Sequence, residues 1–275
     1  MIPETARERL ARRGAFSSAL GVAEALLVRE AGLEPMVQVM GSSVFKIGWQ
    51  QMPWTGGVYW REGATLELEA QTAAYNDARR LAVDRLREEA SLAGADAVVG
   101  VSVRRSRRAG VTDLVEFVAI GTAVRSTRYA LAQDGQPLLC NLSGQDVAKL
   151  IAHSFWPVGI IGGSTVAYVA SGQAQRWRSR GFMTSMQNQE LPDFSRGLSE
   201  ARMLAMDRVQ RQAHELHAHG VVGVSFERSQ REIERNVNNT SYQDLIVEVH
   251  VMGTAIVEVS HETTPAPPYL ALPLS

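Results

Sequence analysis

The run "HELHAH" sets three imidazoles, His214, His217 and His219, within six residues. On a helix, His214 and His217 stand three apart and share one flank, a spacing that lets two imidazoles hold a divalent ion such as zinc or copper. His219, just past the expected helix end, would be the third ligand. A histidine in the last turn also answers the negative end of the helix macrodipole with no metal at all, so both readings stand. In "VEVHV", Glu248 and His250 alternate onto the same face of a strand. Glu116 holds the matching place in "VEFV", where Val118 replaces the histidine. A carboxylate that recurs in a strand suits an ion pair with arginine, within the chain or across a subunit boundary, as well as metal binding or catalysis. Four arginines, Arg104, Arg105, Arg107 and Arg108, crowd into "RRSRR", where a hairpin turn is expected. Such a tip would grip phosphates of a nucleic acid or of lipid headgroups, or simply be a solvated turn.

Two long connections carry aromatics: Trp49, Trp54, Tyr59 and Trp60 in the first, Trp177, Phe182 and Phe194 in the second. Long connections of this kind are uncommon without a functional or partner contact. Self-association is the leading use for these side chains, ahead of packing within the chain. Gly162, Gly163, Ser164 and Thr165 form a glycine-rich stretch without the lysine of a phosphate loop. No nucleophile, base and orienting residue stand in a recognisable set, so the expected activity is not enzymatic and no cofactor is expected beyond a possible divalent metal.

Bulk properties narrow the classes. With 275 residues, 45% hydrophobic and 21% charged, the chain has the composition of a globular protein large enough for two cores. Its net charge of −1 gives no overall attraction to nucleic acid or to an anionic membrane. The single cysteine, Cys140, allows neither an intrachain disulfide nor a thiolate metal cage, which points to a reducing cytoplasm. The first residues, "MIPETARERLARRG", lack the apolar core of a secretory signal. The most apolar window, Pro157 to Gly172, is too short for a membrane span and rich in β-branched residues, so it reads as a buried strand.

What must position these residues is a duplication. Setting Ala78 over Ala201 makes 13 of the 26 positions from Asp77 to Ser102 identical to those from Glu200 to Ser225. Tyr75, Ala78, Ala82, Leu86, Ala90 and Ala93 recur as Leu198, Ala201, Ala205, Val209, Ala213 and Leu216, one apolar stripe per helix. A valine-rich strand follows each helix, with Gly100 and Gly223 marking a bend or a close approach. "VEFVAIGTAV" is answered by "VEVHVMGTAI", and the longer second spacing predicts an extended hairpin arm within "ERSQREIERNVNNTSYQDL". Upstream, Pro35, Gly41 and Val44 match Pro157, Gly163 and Val166, each strand preceded by a predicted helix, near Phe16–Ala31 and Ser143–His153. Ser143 with Asp146 is a candidate cap. Each repeat then reads α-β-α-β-β, two layers with a small, mainly antiparallel sheet. The expected domains are residues 1–134 and 135–260, with a Pro-rich tail over 261–275.

The Ala-rich helix running into "VVGV" and the Glu-x-x-x-x-Gly-Thr-Ala run, present twice, resemble the YbjQ family, described as a putative heavy-metal-binding domain. Repeat two departs from that pattern: His217, Ala218, His219 and Gly220 stand where Gly-Ala-(Asn/Asp)-Ala is usual. The resemblance implies a two-layer α/β domain that assembles into closed five-fold rings. An odd ring cannot alternate first and second repeats evenly. The expectation is therefore a homopentamer with two stacked or nested rings, one per repeat, whose rim could recruit a protein partner. The rival expectation is a zinc or copper protein of metal stress or homeostasis.

Overall fold

The computed structural model describes residues 8, 18, 20–47, 63–107, 114–127, 135–172, 190–237 and 239–259. Among them the order is α1 (Val22–Glu30), β1 (Leu33–Lys46), β2 (Thr65–Glu67), α2 (Glu69–Leu92), β3 (Ala97–Arg107) and β4 (Leu114–Ser126). There follow β5 (Leu138–Leu139), α3 (Gly144–Ala152), β6 (Phe155–Val169), α4 (Pro192–Glu215), β7 (Gly220–Val237) and β8 (Thr240–Glu258). The expected α-β-α-β-β order is present twice, and two very short strands are added to it. The strands form two four-stranded sheets, ordered β1-β4-β3-β5 and β2-β6-β8-β7. All pairings are antiparallel except β3 with β5.

The duplication extends to irregularities. β1 slips register against β4 between Pro35 and Val37, and β6 against β8 between Pro157 and Gly159. A proline has no N–H to give the ladder, so a bulge there removes the conflict. β3 and β7 slip between Val99 and Ser102 and between Val222 and Ser225, around Gly100 at φ +64° and Gly223 at φ +61°. Glycine is the residue that takes this left-handed turn without strain.

α2 and α4 are 24 residues each and bury the expected stripe: Tyr75, Ala78, Ala82, Leu86 and Ala90 in one, Ala201, Ala205 and Val209 in the other. The alanines let each helix press on its sheet at a glycine. A β-carbon on Gly41 would lie 2.0 Å from the Ala82 carbonyl oxygen, and one on Gly163 would lie 2.3 Å from that of Ala205. The core around α2 also takes in Val166, Tyr168, Ala170 and Ile246 from the second repeat, so apolar packing runs through the boundary between copies.

α1 is shorter than its sequence pattern suggests. Ser18 and Leu20 are not helical, and the helix starts after Gly21, whose N–H donates to Glu24 at 2.8 Å. α3 is capped as expected, with the Ser143 hydroxyl accepting from the Asp146 N–H. The extended arm is also present. β7 and β8 pair as far as Val237 with Thr240, and Asn239 takes φ +60° in the turn. The arm closes over β6 through buried Asp244, which accepts from Tyr168 and pairs with Arg235 at 2.5 Å.

Candidate functional site at the seam between the repeats

The two short strands cross from one repeat to the other. β2 precedes α2 in sequence, yet it pairs with β6 in the register Thr65↔Val169, Leu66↔Tyr168, Glu67↔Ala167. β5 leads into the second repeat, yet it extends the first sheet at Ala97↔Leu138 and Val98↔Leu139. Beyond it, the Val101 N–H donates to the Cys140 carbonyl and the Gly100 N–H to that of Leu142, each at 2.9 Å. Each repeat therefore completes the other's sheet.

A second face of α2 lies on β6. The Thr72 hydroxyl accepts from Val166 N–H at 2.9 Å, while the Asn76 amide accepts from Ser164 N–H at 3.0 Å and donates to its carbonyl at 2.9 Å. One turn on, Arg79 donates to the Gly162 carbonyl at 2.6 Å. Burial, and then the charge of Arg208, lower its pKa to about 10. Arg208 in turn reaches across to Glu67 at 2.7 Å.

Deeper in the seam, Glu248 collects Tyr75 from α2 at 3.0 Å, Ser229 from β7 at 2.7 Å and an ion pair with Arg105 from β3. His250 lies beside it, its ring 5.4 Å from Tyr75 and 6.2 Å from Phe117. Its Nδ1 is 2.9 Å from the Ser164 hydroxyl, and its Nε2 is buried with no hydrogen-bond partner. Burial first, then the charges of Arg105 and Arg79, hold its pKa down to about 3 against the pull of Glu248, so the imidazole is neutral. Glu248 and His250 thus share a face as the alternation requires, and that face looks into the joint. A cleft of about 590 Å³ opens over the seam between α2 and α4, lined by both signs of charge, including Arg80, Asp84, Arg211 and Glu215.

The other predicted residues disperse. α4 ends at Glu215, and His217 follows it at φ +50°, so His214 and His217 do not share a helical flank. The reason is a helix stop: the Ala218 N–H donates back to the Ala213 carbonyl, as Ala95 does to Ala90 in repeat one, where Gly94 at φ +70° takes the left-handed place. His219 accepts from the Glu258 N–H at 2.9 Å, the role that Asp96 plays for the Ser126 N–H. Among the described residues no three His, Cys, Asp or Glu side chains come close enough to share a metal.

Arg104, Arg105 and Arg107 lie on a strand rather than in a turn. β3 continues through Arg107, so alternation sends Arg105 inward to Glu248 and Ser229 and leaves Arg104 exposed. The Arg107 side chain and Arg108 lie outside the described residues, as do Trp49, Trp54, Tyr59, Trp60, Trp177 and Phe182. Phe194 falls not in a connection but in the first turn of α4, packed on the second core. Cys140 is buried, and burial pushes its thiol up to about 11.

Tyr75, Arg79, Arg208 and Glu67 were not singled out from sequence. A signal was present. Tyr75 faces Leu198 in the duplication and His250 faces Val118, so positions where one copy turns polar mark where the copies meet different neighbours.

The model of the family described as "Putative heavy-metal-binding" matches residues 62–127 and 157–259, once per repeat. The chain belongs to the YbjQ family. A relative from Mycobacterium tuberculosis (strain ATCC 25618 / H37Rv), named "Encapsulin nanocompartment protein Rv1762c", is 33% identical over 273 residues, covering 96% of this chain and 95% of the relative. Proteins named "UPF0145 protein" match over a single stretch: one from Methanoregula boonei is 45% identical over 58 residues, 21% of this chain and 47% of its own. One from Enterococcus faecalis is 41% identical over 59 residues, 22% of this chain and 54% of its own. This YbjQ-family chain thus matches the first relative along nearly its whole length and the other two over about a fifth of it.

Proposed function

We propose that the protein is a non-enzymatic, self-assembling scaffold whose copies build a closed homo-oligomer of the shell or ring type. The observation that carries this reading is the end-to-end similarity to a protein named for an encapsulin nanocompartment. A compartment built of protein needs subunits that hold on to one another. The seam supports the same reading, because Tyr75, Arg105, Glu248 and Arg208 are engaged in joining one repeat to the next. No helix among the described residues is long and apolar enough to cross a membrane. A cytoplasmic location belongs to this reading and is supported by the lone, buried cysteine.

Five chains is the ring size that the family resemblance suggests. Light scattering of the purified protein, with elemental analysis of the same peak, tests it. The expected result is a discrete species near five times the 30.1 kDa chain mass without stoichiometric metal. A single chain at tens of micromolar, or a small species loaded with zinc or copper, would overturn the scaffold reading.

A further inference from the structure

One repeat-to-repeat contact is made inside each chain, and among the described residues the surfaces that would make it a second time are left exposed. The register of the two copies gives the correspondence. Glu67 and Leu68, before α2, correspond to Glu190 and Leu191, before α4. Arg208 corresponds to Arg85, and Val166 on β6 to Val44 on β1.

Within the chain, Arg208 pairs with Glu67 at 2.7 Å. In the first repeat Arg85 donates to the Ser42 carbonyl at 2.5 Å, while its Nε is buried with no partner. The corresponding carboxylate, Glu190, is exposed and has no ion-pair partner among the described residues. In the second repeat it is Nη2 of Arg208 that donates to Glu67, so the duplication makes Glu190 the carboxylate expected at the matching end of Arg85.

The open edge of β1 agrees. Val166 pairs with Glu248 across the sheet, and its N–H and carbonyl turn outward to Thr72 and Leu68. Val44 holds the same place against Glu116, so its N–H and carbonyl face the edge of β1 that is unpaired among the described residues. Val166 is 0% exposed and Val44 is 62% exposed. On the other side, Ser195 and Ser199 of α4, which match Thr72 and Asn76, are exposed. The β7 edge is touched at Gly223, whose carbonyl accepts from Asn141 at 2.7 Å, and is exposed just beyond it: Val101 is 2% exposed under the segment that follows β5, whereas its counterpart Val224 is 48% exposed. Long edges of this kind are normally covered or blunted.

We infer that a second copy of this chain covers them: α4 of one chain docks on the β1 edge of the next as α2 docks on β6, with Glu190 reaching Arg85 across the contact. The inference rests on the self-assembly reading and specifies its contact. Besides the serines, the copy differs at one further place. Met40 stands where Gly162 leaves room for Arg79, so Arg202, the match of Arg79, takes a different path. Because the contact joins unlike surfaces, repetition closes into a ring or runs on as a filament. First and second repeats then alternate around one ring, in contrast to two rings of one repeat each, and five chains would place ten repeats in it.

The test is charge reversal with a cross-link. Glu190→Arg and Arg85→Glu are each expected to raise the concentration at which the oligomer dissociates by at least about ten-fold, and the double reversal to restore assembly. Independently, Ser42→Cys with Ser199→Cys, the counterparts of Ser164 and Asn76, should give a ladder of disulfide-linked chains under oxidation, which buried Cys140 does not supply. The cross-link decides where a reversed arginine prevents folding by circular dichroism. An oligomeric wild type whose reversals assemble normally and whose cysteine pair gives no ladder overturns this contact and leaves self-assembly standing. A monomeric wild type overturns both.

Discussion

Glu248 and Glu116 occupy one position of a duplicated strand and do different work. Glu248 is buried under Tyr75 and Ser229 and neutralises Arg105, whose side chain is 16% exposed, whereas Glu116 is exposed and meets Ser106 at 3.1 Å. Removing one partner of a buried ion pair strands the other, so Glu248→Ala is expected to cost about 3 kcal/mol. Glu116→Ala should stay within about 0.5 kcal/mol; denaturant melts of the two variants measure the contrast. His250 sets a pH dependence in the same knot, faced by Arg105, Arg79 and Glu248. Its imidazole takes a proton near the usual 6.5 in the unfolded chain and only near 3 in the folded one. Between those values the unfolded state binds more protons, so stability is full above about pH 6.5 and falls on acidification, by at most about 1.4 kcal/mol per pH unit. Thermal melts from pH 7.5 to 5 should show a shallower fall for His250→Gln than for the wild type, and equal slopes would refute the assignment. His217 carries left-handed strain where repeat one has glycine, so His217→Gly is expected to stabilise by about 1 kcal/mol. A metal ligand would behave oppositely, with His217→Gly lowering the melting temperature of the metal-loaded protein.

Among the elements, legibility in the sequence followed length and periodicity. α2 and α4 announce themselves by six matched apolar positions, and the long arm by its extra residues, because a face repeated over several turns has one physical solution. β2 and β5, of three and two residues, have no period to read. Their places are set by the partner strands, so the exchange that defines the seam was not legible. The "HELHAH" run misled for a related reason: helical spacing was extended two residues past a stop that repeat one marks with Gly94 and repeat two disguises with a histidine. The arginine run misled because β3 outlasts its apolar segment, leaving Arg105 on an inward-facing step. Gly41 was legible as the match of Gly163, and the structure gives the reason for glycine at both. A β-carbon on Gly41 would meet the Ala82 carbonyl oxygen at 2.0 Å and the Leu86 nitrogen at 2.4 Å, both backbone atoms that cannot turn aside. Gly41→Ala is therefore expected to cost about 3 kcal/mol, a fall of roughly 6–12 °C in Tm. Gly220→Ala, whose added carbon meets nothing nearer than 3.7 Å, should leave Tm within about 2 °C.

At the scale of the molecule, the duplicated chain is joined more tightly than two beads on a linker. A linker would leave each copy a complete sheet, and the chain would melt as two independent units. Here the sheet around β6 needs β2 from upstream of α2, the sheet around β3 needs β5 from downstream of residue 134, and one apolar core takes side chains from both copies. Cutting between 134 and 135 therefore separates each sheet from one of its own strands. Calorimetry of the full chain should show one cooperative transition rather than two. The halves 1–134 and 135–260, made alone, should be less stable than the full chain and exposed along the edges of β3 and β6, yet co-expressed they should reassociate and co-purify. Two separately stable halves with no affinity for one another would mean that the exchanged strands contribute little. The same result would remove the physical basis for extending the repeat-to-repeat contact from one chain to the next.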